Sequence, residues 1–497
     1  MSLNMSMAQQ VGGCQPGLHA LPHYDLVWKF IEQEGLQAFS SIPEVLVEAP
    51  VEFNHWKRQP AVLTEAEQNL VQHYQRFGIN AQVERNQEKG VFRTHYPVDN
   101  SESVTVIIPG KNKAALLKNC IDSLVAKTRW SNLEIIVVDN GSDEEEAVAY
   151  LNQLKDLQLG TLSVIDFPGA FNYAAMINLA AARAKGNYLL LLDNDCEISD
   201  ANWLTTMMSI AQRAEVGAVG PKLIFRDGKI QHGGYLTGIH QGEINPFEFS
   251  VADSECYLHY LSVTHNVSAV SGSCLLTPKA LFEQLGGLDE QAFPIFLADI
   301  DYCLKLKEHG YVVTWTPECD VIHMGGATLL LAQDKEVTAN ARQEARRNLM
   351  QKWQQALTND SRYHPLMSKY GKPFTVSEQM ARIHPSLPGK PLPRIMATHS
   401  GWYGCGNHRV IQPYKALEEN IFTEGGLYFG VPGLMEVAEM QPDTILLQLP
   451  SGSGFPDLMK KYRTLCDAKI IVEYDDFLPN LPLKNSVRHH FPQHIIK

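Results

Sequence analysis

The chain has 497 residues, 44% of them hydrophobic and 20% charged, and a formal net charge of −13. Single cores rarely grow beyond about 250–300 residues, so this length implies roughly two to four domains of an ordinary folded protein. The acidic balance argues against wholesale binding of nucleic acid or of an anionic membrane, and no apolar run approaches the roughly 20 residues a spanning helix needs.

The opening MSLNMSMAQQVGGCQ has neither a basic nor an apolar segment and does not read as a signal peptide. Nine scattered cysteines without a CxxC pair read as reduced thiols of a cytoplasmic protein. Cys319 and His323 lack a second pair that would complete a metal site, so packing is their expected role. Residues 1–100 read as a helical extension, with LVWKFIEQEGLQAF and LTEAEQNLVQHYQRF as helices and Thr64 and Glu67 spaced as a capping box.

The pattern changes at SVTVIIPG (103–110), a β-branched run followed by a helical stretch, the strand EIIVVDNGS and another helical stretch. The strand LSVIDF, the helix YAAMINLAAARAKG and the strand YLLLL come next. Alternation at this spacing predicts a doubly wound α/β sheet covered on both faces. Ligands of such sheets bind beyond the carboxyl ends of the strands. There the chain offers Pro109 and Gly110, then Asp139 and Asn140, then Asp193 and Asp195. Neither GxGxxG nor GxxxxGK[ST] is present, which disfavours a dinucleotide site and a P-loop.

Further on, SAVSGSCLLTP reads as a strand and DIDYCLKLKEHG as an amphipathic helix with Asp299 and Asp301 in its first turn. The expected domains are 1–100, 101–332, a helical segment and linker over 333–393 with five prolines from Pro373 to Pro393, and a partial α/β domain over 394–497.

Asp193 and Asp195 stand two apart on what reads as extended chain, so both carboxylates face one way. Such a pair repels itself unless a cation or a proton intervenes. Mn²⁺ or Mg²⁺, held by one or two carboxylates and by phosphate oxygens, is one reading; acids capping the next helix are the other. Phosphatases of the haloacid-dehalogenase type also place DxD after an apolar strand. Their strand is the fold's first, and a Thr or Val usually follows where Glu197 stands here.

In order, VTVIIPG, EIIVVDNGS, FNYAAMINLA, GNYLLLLDND, VGAVGPKL, IQHGG, SAVSGSCLL, GGLDE, DIDYCLKLKEHGY and TPECDVIHMGG run from residue 104 to about 330. This series resembles the family-2 glycosyltransferases of the GT-A fold, above all bacterial enzymes that build O-antigen and other surface polysaccharides. The resemblance implies a doubly wound mixed sheet and a metal-dependent, inverting transfer from a nucleotide-diphosphate sugar to a glycan or lipid-linked glycan, in the cytoplasm or at the inner face of its membrane. It implies that Pro109, Gly110 and Asp139 hold the nucleotide base and that Asn178 contacts the donor. Asp193 would touch ribose or metal, Asp195 would ligate the metal, and His323 would lie near metal or diphosphate. Asp299 would be the catalytic base. The competing expectations are a nucleotidyltransferase acting on sugar phosphates and a non-catalytic subunit of a polysaccharide synthase.

Three departures stand out. Gly110 replaces the usual Thr, Ala298 precedes Asp299 where Asn or Glu is common, and no acid follows His323. The C-terminal stretches GWYGCGNHRVIQPYKALEE and IIVEYDDFLPNLP resemble the start of a GT-B glycosyltransferase. Its donor half would lie beyond Lys497, so no independent transfer is expected there.

Overall fold

A computed structural model describes residues 5–39, 52–239, 242–251, 256–325, 335–358, 360, 362–364, 367–369, 371–376, 392–448 and 454–474. Most of the proline-rich linker and the stretch after Tyr474 lie outside the described residues. The chain divides after Trp353 into two compact units. The helix Lys335–Trp353, expected from the sequence as a helical segment grouped with the linker over 333–393, falls within the first unit.

Helices Pro22–Glu34 and Pro60–Arg76 pack together at the start of the first unit. Trp28 stacks on His73 at 4.3 Å, and the buried Asp25 carboxylate binds Lys29 at 2.7 Å. The second helix begins at Pro60, where a missing N–H costs nothing. Thr64 and Glu67 thus lie inside it and form no capping box. The extension is not wholly helical either: β1 (Gln82–Asn86) and β2 (Val91–His95) form an antiparallel hairpin. Its half-exposed faces mix polar and apolar residues, which leaves little period-2 signal.

A 10-stranded mixed sheet follows. Its strands are β3 (Val104–Gly110), β4 (Leu133–Asp139), β5 (Leu162–Asp166), β6 (Tyr188–Leu192), β7 (Cys196–Ile198), β8 (Val216–Ile224), β9 (Ile230–His232), β10 (His265–Val267), β11 (Cys274–Pro278) and β12 (Val312–His323). The main order is β10-β12-β8-β11-β6-β3-β4-β5, with β7 on β12 and β9 on β8. β6, β3, β4 and β5 are parallel, while β11 runs antiparallel between β6 and β8.

All of β3 is buried, and Leu189 to Leu192 are 0% exposed, as continuous apolar strands covered on both faces must be. Burying each such leucine stabilises by about 1.5–3 kcal/mol, so β6 is a rigid base for whatever follows it. Because β3 pairs with β4 on one side and β6 on the other, the strand order reverses there. A crevice opens at such a reversal, at the ends that carry Pro109, Gly110 and Asp193.

The second unit holds a separate parallel sheet of β13 (Arg394–His399), β14 (Glu424–Phe429), β15 (Thr444–Gln448) and β16 (Lys469–Glu473), in the order β14-β13-β15-β16.

Candidate active site

Asp193 and Asp195 do converge, but through a turn and not through strand alternation. β6 ends at Leu192, and the Cys196 N–H closes onto the Asp193 carbonyl at 3.1 Å. The chain then pairs as β7 with the end of β12, in the register Cys196 to His323. That pairing brings an imidazole from over a hundred residues away to the turn. His323 Nε2 lies 3.0 Å from Asp195 Oδ1 and 3.6 Å from Asp193 Oδ2.

Burial alone would push the His323 pKa down, but the Asp195 hydrogen bond and the two carboxylate charges outweigh it and hold it above the ordinary value. Burial, with Asp195 adding to it against His323, raises Asp193. Both shifts favour a positive charge, a proton or a cation, at this turn.

Asp195, His323 and Cys196 offer donor atoms within 4.8 Å of one another. The Cys196 thiol bonds the Ser273 carbonyl, and burial holds its pKa well above the usual thiol value. It stays protonated, leaving Asp195 and His323 of this group as possible donors, with the Asp193 carboxylate 3.6 Å from the same imidazole. That oxygen-rich set with one nitrogen fits Mn²⁺, and its carboxylates fit Mg²⁺.

Asp299 opens the helix Ala298–Glu308. Its Oδ2 accepts from the Gly272 N–H at 2.7 Å and its Oδ1 from the Ile300 N–H at 2.9 Å. The residue before the helix, Leu297, is held at φ 65, in the left-handed region that non-glycine residues adopt uncommonly. The turn holding Asp299 is fixed from below. The Ser271 N–H donates to His232 Nε2 at 3.1 Å, and the Tyr173 hydroxyl donates to the Gly272 carbonyl at 3.2 Å. Desolvation pushes His232 down to about 3, so its ring stays neutral and remains an acceptor. Gly272 has no room for a side chain, since a Cβ would stand 3.0 Å from the Tyr173 hydroxyl and 3.2 Å from the Asp299 Cβ.

These groups surround one cavity of about 470 Å³, lined among others by Pro109, Asp193, Asp195, His323 and Asp299. Gly110, next to the lining Pro109, is not itself among the lining residues, and a Cβ there would come 2.7 Å from the Asn194 amide nitrogen. The missing Thr is thus explained by the asparagine between the two aspartates.

Asp139 and Asn178 are not among the lining residues. The Asp139 carboxylate accepts from the Ser142 N–H at 3.1 Å and from its hydroxyl, closing the turn after β4. The Asn178 amide accepts from the Leu288 N–H and donates to the Leu288 carbonyl and to Glu290. It fastens a helix to the GGLDE turn.

Most of the lining was not named from the sequence, including both arginines of the cavity. Arg342 and Arg346 reach the cavity from Lys335–Trp353, with the Arg342 guanidinium 4.9 Å from the Phe296 ring. Their spacing of four places them on one helix face, which was the available signal. The charged pattern of the helix concealed it.

The two acids of the ADID sequence have separate tasks. Asp301 is fully buried and binds Trp353 Nε1 at 2.7 Å, Lys352 Nζ at 2.8 Å and Lys305 Nζ at 3.3 Å. Asp301→Ala should leave a cation and an indole N–H unmatched. Because Lys352 is partly exposed, the cost should fall at the low end of the roughly 3–5 kcal/mol for breaking a buried pair. Urea unfolding should show the loss, whereas Asp299→Asn should unfold near the unmodified protein.

A doubly wound sheet whose switch-point crevice carries paired carboxylates, an imidazole and a separate helix-borne carboxylate defines the GT-A class of nucleotide-diphospho-sugar transferase folds. Residues 105–286 match the description "Glycosyl transferase family 2", and this part of the chain is a family-2 glycosyltransferase domain.

The chain is 34% identical over 324 residues to the O-antigen biosynthesis protein RfbC of Myxococcus xanthus, covering 64% of this chain and 25% of that protein. It is 27% identical over 386 residues to the uncharacterized protein y4gI of Sinorhizobium fredii, covering 75% and 41%. To the O-antigen chain rhamnosyltransferase RfbN of Salmonella typhimurium it is 24% identical over 222 residues, covering 44% and 66%. The chain thus spans less than two thirds of the length of each of these relatives.

Proposed function

We propose that the first unit is a metal-dependent, inverting glycosyltransferase. It would move a sugar from a nucleotide-diphosphate donor to a glycan or lipid-linked glycan during surface-polysaccharide assembly of the O-antigen kind. The observation that carries this reading is the single cavity in which Asp193, Asp195 and His323 meet at one place and Asp299 is held separately at another. The kinship to RfbC and RfbN supports the product class.

Asp195, with Asp193 and His323, would hold Mn²⁺ or Mg²⁺, which when bound supplies Lewis acidity to the diphosphate leaving group. Arg342 and Arg346 add positive charge from the helix side of the cavity. Pro109 and Gly110 bound the nucleotide base. Asp139 shapes that end through the turn at Ser142, and Asn178 supports the donor side through the GGLDE turn. Asp299 takes the proton of the acceptor hydroxyl as its oxygen attacks the anomeric carbon. The bond to the diphosphate breaks on the opposite face, which inverts the configuration. No helix among the described residues is long and apolar enough to cross a membrane. A lipid-linked acceptor would place the reaction at the inner face of the cytoplasmic membrane.

The test is turnover of UDP-, GDP-, dTDP- and CDP-linked sugars with and without Mn²⁺. At least one donor should be consumed only when metal is present. Failure of all of them to bind or react would refute the reading.

A further inference from the structure

The second unit carries an unexplained group of side chains at the carboxyl edge of its own sheet. The parallel register pairs His399 of β13 with Phe429 of β14, and Gln448 of β15 with Glu473 of β16. Thr398 pairs with Leu447, so His399 and Gln448 are also neighbours. Side chains in register on parallel strands share a face. The four strand ends therefore present a row of aromatic ring, imidazole, carboxamide and carboxylate. The row crosses the point where β13 has β14 on one side and β15 on the other, the reversal of strand order at which open α/β sheets bind ligands.

Two members of this row are buried without their full complement of partners. His399 is 1% exposed and Gln448 6%, yet among the described residues neither His399 Nε2 nor Gln448 Nε2 has a hydrogen bond. Each such atom calls for a partner, and here two of them stand on neighbouring strand ends. Their chemistry is complementary. His399 Nδ1 bonds the Gly401 carbonyl at 3.1 Å. A carbonyl only accepts, so Nδ1 carries the proton, and Nε2 of the neutral ring is left with a lone pair. The Gln448 Oε1 already accepts from Ser400, so its amide nitrogen is left as a donor.

An acceptor beside a donor suits a hydroxyl, which gives one hydrogen bond and takes another. It suits a phosphodiester poorly, since that group has no proton to donate. Glu473 would repel a phosphate as well, and the nearby Arg409 is already bound to that carboxylate.

The second independent observation is aromatic. Trp402 and Phe429 are 59% and 64% exposed, and their rings lie nearly parallel, at 8° and 6.2 Å between centroids. The His399 ring packs against both, at 4.4 and 5.6 Å. Large rings are rarely left so exposed side by side without a partner to cover them.

We infer that this edge is a carbohydrate-binding site that seats a neutral sugar ring of a glycan on Trp402 and Phe429, with its hydroxyls bonded to His399 and Gln448. It is a binding site without transfer chemistry, and it needs no metal. It keeps glycan on the same chain as the transferase domain whether or not that domain has the activity proposed above.

The test is a titration of the full chain with maltotriose, mannotriose and a rhamnose trisaccharide, followed by tryptophan fluorescence and saturation-transfer NMR. At least one should bind saturably at millimolar concentration or below. Trp402→Ala and Phe429→Ala, both at exposed positions, should weaken binding at least tenfold with an unchanged circular dichroism spectrum, and Gln448→Leu about fivefold. Asp195→Ala should leave it unchanged. The inference is overturned if none of the three binds, if binding survives Trp402→Ala, or if Asp195→Ala abolishes it. It is equally overturned if uridine or inorganic phosphate binds at these residues in place of sugar.

Discussion

Asp299→Asn should lower kcat for sugar transfer by about a thousandfold while the affinity for nucleotide-sugar changes by less than about twofold. Positioned general bases contribute roughly 10²–10⁴ to a rate, and an amide cannot take a proton from the acceptor. The replacement keeps the shape of the side chain. Its single oxygen can still accept from either the Gly272 or the Ile300 N–H, so one of the two bonds is lost. That loss should cost about 1 kcal/mol of stability and should not unfold the helix start.

The split between kcat and affinity is the informative readout. Asp193, Asp195 and His323 contact one another, whereas Asp299 acts on Asp193 only as a minor charge repulsion, so donor binding should follow the base little. A parallel fall in donor affinity would move Asp299 from the acceptor to the donor and end its assignment as base. Gly272→Ala supplies a second approach to the same question. Its methyl would press on the Asp299 Cβ and the Tyr173 hydroxyl, shifting the carboxylate without changing its chemistry. It should lower kcat with little effect on donor affinity.

Much of the sheet could be read in advance because buried parallel strands announce themselves. β3 and β6 are unbroken apolar runs, and each ends on residues that fall beside the cavity. What could not be read was long-range register. His323 reaches Asp195 only because β12 pairs with β7, and nothing in the text of either segment states that pairing. The same holds for Asp299, whose Gly272 partner comes from a different turn. Local geometry was also misread where two structures share one spacing. An i, i+2 pair of aspartates looks the same on a strand as in a turn, and here the Cys196 to Asp193 bond decides for the turn. Polar surface hid the rest. Arg342 and Arg346 sit on a helix with so few apolar residues that its buried side was not visible.

Asp195→Ala should weaken Mn²⁺ binding by at least about 100-fold and reduce turnover to the level seen with chelator. Of the two aspartates it is the more critical. It is 2% exposed, against about a quarter for the Asp193 side chain, and it makes the shorter contact to His323. A ligand fixed by burial loses little freedom when an ion binds, whereas a more exposed one must be ordered first. Asp193→Ala should therefore cost less in Mn²⁺ affinity than Asp195→Ala, and His323→Ala should fall between chelation and the unmodified protein.

Two controls separate metal loss from misfolding. Asp195→Asn keeps the shape of the side chain but removes its charge, so it should melt near the unmodified protein and still bind Mn²⁺ poorly. Mn²⁺ binding is read directly, by titration calorimetry or by the loss of the free-ion EPR signal, with no dependence on turnover. Normal Mn²⁺ binding in Asp195→Ala, or turnover that persists in full after chelation, would remove the metal from the mechanism. The turn after β6 would then be a helix-side cap, with His323 alone balancing its charge.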